Sequence, residues 1–166
     1  MLAKVMVVLL VALAACGGDE GQLVAPCTPV TTTSTNTSQK PVIEIPEDTE
    51  PPETLQSCDV VEGSGDAAAT GDEVLVQYAG VAWSTGTEFD ASWNRPGEPF
   101  SFQLGGGLVI QGWDLGLIGA KEGGRRELII PPHQAYGPNG RPPTIGPNET
   151  LVFVIDVVQV GGPPRP

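Results

Sequence analysis

The chain has 166 residues, a formal net charge of −12 at pH 7 and only 17% charged residues, with 22 glycines and 17 prolines. That length holds one ordinary domain with sequence to spare, and the glycine and proline content points to a fold rich in turns and loops. The acidic balance argues against direct nucleic-acid binding, which needs clusters of Lys and Arg for the phosphates.

Residues 1–16 read as a leader. Lys4 and the free amine make a small positive region, followed by the apolar run Val5 to Ala15. The run is too short to cross a hydrocarbon core, which takes about 20 helical residues, and it suits the apolar stretch of a signal peptide. It ends in Leu13-Ala14-Ala15-Cys16, similar to a bacterial lipobox. Small residues there let a peptidase accept the extended backbone, and the Cys16 thiol becomes the lipid-bearing thioether. The expectation is a lipoprotein held on the extracytoplasmic side of the bacterial cell membrane; an ordinary secretory signal with a chance cysteine is the alternative.

Residues 17–54 show neither helical nor strand periodicity. They join the Thr/Ser run Thr31 to Ser38 to Pro41, Pro46, Pro51 and Pro52 among acidic residues. Such a polar, proline-rich stretch buries too little apolar surface to offset its ordering entropy, so a disordered tether is expected. Cys27 and Cys58 are the cysteines other than Cys16. An oxidising exterior permits a disulfide between them; two free thiols or an intermolecular pairing remain open. His133 is the sole histidine and no Cys-x-x-Cys occurs, so no metal-site spacing is present.

Residues 55–161 read as one domain, with 162–166 as a flexible tail. Val74 to Ala79 alternates and puts Val74, Val76 and Tyr78 on one face; Phe100 to Leu104 alternates until Gly105-Gly106-Gly107 stops it. Ile110 to Ile118 has the apolar spacing of a short amphipathic helix, weakened by Gly112 and Gly116 at about 1 kcal/mol each and therefore dependent on packing against a sheet. Arg125 and Arg126, beside Glu122 and Glu127, read as a solvated turn and the start of a strand reaching Ile130; Thr150 to Val160 is a long β-branched strand. Strands, one short helix and long loops give an α+β domain with an antiparallel sheet wrapped on the helix.

Four segments carry a resemblance. Phe89-Asp90-Ala91-Ser92, Val109-Ile110-Gln111-Gly112-Trp113, Ile130-Pro131-Pro132 with Ala135-Tyr136-Gly137, and Ile145-Gly146-Pro147-Asn148 with Thr150-Leu151 and Phe153 stand in this order. Together they resemble the FK506-binding family of peptidyl-prolyl cis/trans isomerases, across nearly the whole domain. The resemblance implies a five-to-six-stranded antiparallel sheet curled around one short helix, and a pocket that turns X–Pro bonds without a cofactor. It assigns catalytic positions to Tyr78, Phe89, Asp90, Trp113, Tyr136 and Phe153, and substrate binding to Phe100, Val109, Ile110 and Ile145. Trp113 would lie under the proline ring, with the Tyr136 hydroxyl and the Ile110 N–H on substrate carbonyls. Proline-containing extracytoplasmic clients are the expected partners, with FK506-like macrolides as further candidates. Plainer readings stand beside these: Asp90 as a turn aspartate, and Phe102, Trp83 and Trp93 as core or surface aromatics. Arg141-Pro142-Pro143-Thr144 and Gly146 depart from the family pattern at the expected pocket rim. A client-holding module without catalysis and a surface-interaction lipoprotein on the same scaffold are the rival functions.

Overall fold

The structure is a computed structural model that describes residues 31–32, 34–95 and 99–161. Cys16 and Cys27, on which the lipid anchor and one end of the candidate disulfide depend, lie outside the described residues. Cys58 is disulfide-bonded.

Two short strands, β1 (Thr31–Thr32) and β2 (Ile43–Glu44), pair antiparallel. The main sheet contains β3 (Gln56–Val61), β4 (Glu73–Ala82), β5 (Glu88–Ala91), β6 (Phe100–Gln103), β7 (Arg125–Ile130) and β8 (Leu151–Val160). Its order is β3-β7-β8-β4-β5, all antiparallel, and β6 also pairs with β4. The ten-residue β4 meets β6 along Glu73 to Val76 and β5 from Ala79, while its other edge pairs with β8. Among the described residues one α-helix, α1 (Gln111–Gly116), covers one face. The expected sheet around a short helix is the architecture observed.

Strand alternation sorts the side chains between two faces. Leu128 and Ile130 of β7 and Leu151, Phe153, Ile155 and Val157 of β8 enter the core under α1. The intervening Ile129 and Val152 belong to a second apolar cluster with Val81 and Trp83. That outer cluster is closed by Ile43 and Ile45.

The second cluster changes the reading of residues 34–54. The expected tether is, from Ser34 onward, a strap laid on the outer face of the sheet. Lys40 Nζ reaches Glu88 Oε1 and Asn94 Oδ1, both at 2.8 Å, and the Trp83 indole N–H donates to the Thr49 carbonyl at 3.2 Å. Two isoleucines among prolines and acids make no periodic signal, but two are enough to cap an apolar patch already built by the sheet. Trp83 is accordingly a buried outer-face residue.

Arg125 requires a second correction. Far from being solvated, it is fully buried and donates to both Asp156 oxygens, at 2.5 and 2.9 Å. Two further N–H groups donate to strap carbonyls, Ser34 at 2.8 Å and Gln39 at 2.7 Å. The two residues face each other in the β7–β8 register, which no inspection of neighbours along the chain reveals. A buried ion pair rarely stabilises more than apolar residues of the same volume, but removing one partner strands the other charge. Arg125→Ala should therefore lower the unfolding free energy in urea by about 3–5 kcal/mol. Arg125→Met combined with Asp156→Leu should recover much of that loss; a double variant as unstable as the single one would refute this account.

Candidate active site

A cavity of about 610 Å³ opens on the helix side of the sheet. All ten catalytic and binding positions expected from the sequence line it: Tyr78, Phe89, Asp90, Phe100, Val109 and Ile110, together with Trp113, Tyr136, Ile145 and Phe153. They come from β4, β5, β6, the entry to α1, α1 itself, the Tyr136 turn, the following loop and β8.

Trp113, only 4% exposed, is the centre of the aromatic wall. Tyr78 and Phe153 each stand nearly perpendicular to it, with centroids at 5.1 Å, and Phe100 does so at 6.2 Å. Phe89 completes the wall edge-on to Phe153 at 5.4 Å. Edge-to-face rings set the positive rim of one against the negative face of another, worth about 0.5–1.5 kcal/mol per pair beyond area burial. Gly80 makes the Phe89–Phe153 contact fit: a β-carbon there would lie 2.7 Å from both rings. Phe102 stacks on Phe100 at 5.6 Å and is buried in the core against Trp113, so the plainer reading holds for it.

The polar side of the cavity is a closed ring of hydrogen bonds. Tyr78 Oη donates to Asp90 Oδ2 at 2.6 Å, Arg95 Nη1 donates to Asp90 Oδ1 at 2.6 Å, and Arg95 Nη2 donates to Tyr78 Oη at 2.8 Å. Burial pushes the Asp90 carboxyl up, but the hydrogen bonds from Tyr78 and Arg95 and the Arg95 charge outweigh it and hold it below its ordinary value. The Tyr78 phenol is pushed up to about 12, first by burial and then by its bond to Asp90, with Arg95 opposing. Asp90 is thus ionised, with both oxygens engaged, and poorly placed to take a proton from a substrate.

Two groups remain available for a ligand. The Ile110 N–H has no acceptor among the described residues, and its carbonyl is occupied by the Trp113 N–H at 2.9 Å. The Tyr136 hydroxyl accepts from Arg141 Nη1 at 3.3 Å, which leaves its own proton to donate. His133 is exposed and off the cavity wall.

The segment from Arg141 to Thr144, expected at the pocket rim, lines the cavity; Arg95 and Leu108 line it too, although the sequence reading did not place them there. Arg95 had a faint signal, a cation shortly after Asp90 across a turn; Leu108, 73% exposed, had none.

A phenol whose pKa rises on folding stabilises the fold while protonated. The contribution of Tyr78 is complete below the unfolded value of about 10 and is lost as pH climbs to about 12. Chemical denaturation across that range should show Tyr78→Phe losing less stability than the parent protein. Identical alkaline slopes would contradict the buried-phenol assignment.

Comparison with known proteins agrees with this geometry. A family model for FKBP-type peptidyl-prolyl cis-trans isomerase matches residues 65–158. An FK506-binding protein of Streptomyces anulatus is 56% identical over 123 residues, covering 74% of this chain and 98% of the relative. A probable FK506-binding protein of Corynebacterium glutamicum is 47% identical over 120 residues, covering 72% and 98%. Among solved structures, FkpA from Escherichia coli matches with a TM-score of 0.59 at 44% identity, over 66% of this chain and 49% of that one. With its sheet, its helix and its aromatic cavity in place, the chain belongs to the FKBP-type peptidyl-prolyl cis-trans isomerases.

Proposed function

We propose that the cavity catalyses X–Pro rotation in extracytoplasmic client proteins by desolvation and hydrogen bonding rather than by proton transfer. The observation that carries this reading is the edge-on aromatic enclosure of Trp113 beside a carboxylate already neutralised by Arg95 and Tyr78. A prolyl ring seated on Trp113 leaves water. Rotation about the bond faces a barrier of about 18–20 kcal/mol because amide resonance is lost. The planar amide is the more charge-separated form, so water favours it, and a dry apolar wall removes that preference. Hydrogen bonds from the Tyr136 hydroxyl and the Ile110 N–H to the flanking carbonyls hold the twisted geometry, and only interactions stronger in that geometry accelerate the reaction.

A second reading, client holding, is favoured by the rim. Leu108 is 73% exposed and Phe100 40% exposed, so an unfolded chain finds apolar surface beside the cavity. Suppression of client aggregation that survives loss of turnover would separate holding from catalysis.

The mechanism is tested on short X–Pro peptides. The value of kcat/KM should stay nearly flat from about pH 6 to 9, because an ordinary Asp titrates near 4 and Tyr near 10. Phe153→Ala, which opens the wall to water, should cost more than Tyr136→Phe, which removes one hydrogen bond worth about 0.5–1.5 kcal/mol. A bell-shaped profile centred near neutrality would mean acid–base chemistry and would end this mechanism.

The extracytoplasmic, lipid-anchored setting rests on Leu13-Ala14-Ala15-Cys16 and is supported by the bonded Cys58, since disulfides persist in oxidising compartments. Two or more acyl chains would hold stably where one is marginal. Cys16→Ser should abolish lipid attachment and leave uncleaved or released protein. Membrane fractionation of a cleaved Cys16→Ser protein would sink the proposal.

A further inference from the structure

The loop from Gly140 to Gly146 holds the residues, Arg141 to Thr144 and Gly146, that depart from the family pattern, and it carries a charge that nothing else in the cavity uses. Arg141 and Ile145 hold each other by reciprocal backbone bonds, N–H to C=O at 2.9 Å one way and 3.0 Å the other. At the base of the loop Gly140 has φ +61°, and a β-carbon on it would overlap the Gly146 carbonyl. The backbone of Arg141 is therefore fixed while its side chain is exposed. Its guanidinium lies 5.8 Å from the centroid of the Tyr136 ring, with Nη1 at 3.3 Å from the hydroxyl. Among the described residues no carboxylate lies within ion-pair distance of it.

Among the described residues three charged side chains line the cavity: Asp90, Arg95 and Arg141. The first two cancel across 2.6 Å. The cavity of this strongly acidic chain is left with one surplus positive charge, above the tyrosine assigned to a substrate carbonyl. We propose that Arg141 is a specificity residue favouring substrates with an acidic side chain on the residue before the proline. The inference rests on the isomerase reading, in which Tyr136 holds the carbonyl of the X–Pro bond. The side chain of residue X branches from the carbon next to that carbonyl, so a glutamate there comes within reach of the guanidinium. Arginine suits the task because its planar fork can donate two hydrogen bonds to a carboxylate while it stays over the tyrosine ring.

The test uses the intact protein and three matched peptides with Glu, Gln or Lys before proline, plus a control with Glu placed several residues away. At low ionic strength kcat/KM for the Glu peptide should exceed that for Gln by about three- to ten-fold, as expected for one charge pair near the surface, and the ratio should shrink with salt. Arg141→Gln should bring the ratio to one, Arg141→Lys should keep part of it, and Arg141→Glu should turn the preference toward Lys. Because each readout is a ratio within one protein, any general loss of activity divides out. Peptide binding followed by tryptophan fluorescence reads the same ratio without turnover. A ratio near one in the parent protein, a ratio unchanged in Arg141→Gln, or an equal gain from the distant Glu overturns the inference. Absence of turnover with every peptide overturns the isomerase reading instead, and the binding ratio still decides the role of Arg141.

Discussion

The close contact between α1 and β7 is the constraint from which the rest of the site follows. A β-carbon on Gly112 would overlap Ile130, and one on Gly116 would sit 2.6 Å from Leu128 Cδ2. Six residues with two glycines would not hold a helix in water. Here the same glycines let the helix backbone descend onto the two buried side chains, and Trp113, between them, is delivered into the cavity as its floor. Local helix propensity is given up for position. The Trp113 ring then supplies a fixed plane to which the rings of Tyr78, Phe100 and Phe153, each from a different strand, stand nearly perpendicular.

Charge is managed in opposite ways on the two faces of the sheet. On the helix side, Asp90, Arg95 and Tyr78 neutralise one another in a half-exposed ring, which keeps that part of the cavity wall polar in geometry but nearly uncharged. On the outer side, Arg125 and Asp156 are buried as a bidentate pair whose guanidinium also donates twice to the strap. The first arrangement uses up its own polar groups, whereas the proton of the Tyr136 hydroxyl and the N–H of Ile110 have no acceptor among the described residues. The second gives the strap a specific seat, because the carbonyls of Ser34 and Gln39 complete a guanidinium that the sheet alone leaves unsatisfied.

Legibility in the sequence followed the range of the interactions. Strands β4, β6, β7 and β8 were visible because alternation is local, and their inward residues fell where the period put them. The cavity residues were visible through motif resemblance, which already encodes which strands meet. What stayed hidden depends on partners distant in the chain. Arg125 is partnered by Asp156 and by the strap, while its sequence neighbours are Glu122, Arg126 and Glu127. Strand β5, Glu88-Phe89-Asp90-Ala91, sets two acidic residues around a single large apolar one and so shows no apolar alternation. Strand β3 lies on the sheet edge with mostly half-buried side chains, so it carries little apolar signal. Ile43 and Ile45 sit in a proline- and acid-rich context that resembles disorder until an apolar patch is there to receive them.

The strap also bears on the cavity, through the edge strand that carries Phe89 and Asp90. Lys40 grips Glu88 at the head of β5 and Asn94 in the turn after it, and Asn94 in turn donates to Glu88 at 2.7 Å. Between these two clamped points lie Phe89 and Asp90, and Arg95 follows directly. An edge strand is held by a ladder on one side only, so β5 has more freedom than β8 to drift and loosen the aromatic wall. A lysine bridging its two ends from the outer face limits that drift without entering the cavity. The pair is partly exposed, with side-chain exposures of 35% and 33%, and isolated exposed ion pairs contribute little to global stability. Its effect is local instead: it fixes the distance between the strand that offers Asp90 and the turn that offers Arg95, and the neutral ring of Asp90, Arg95 and Tyr78 closes only when that distance is kept.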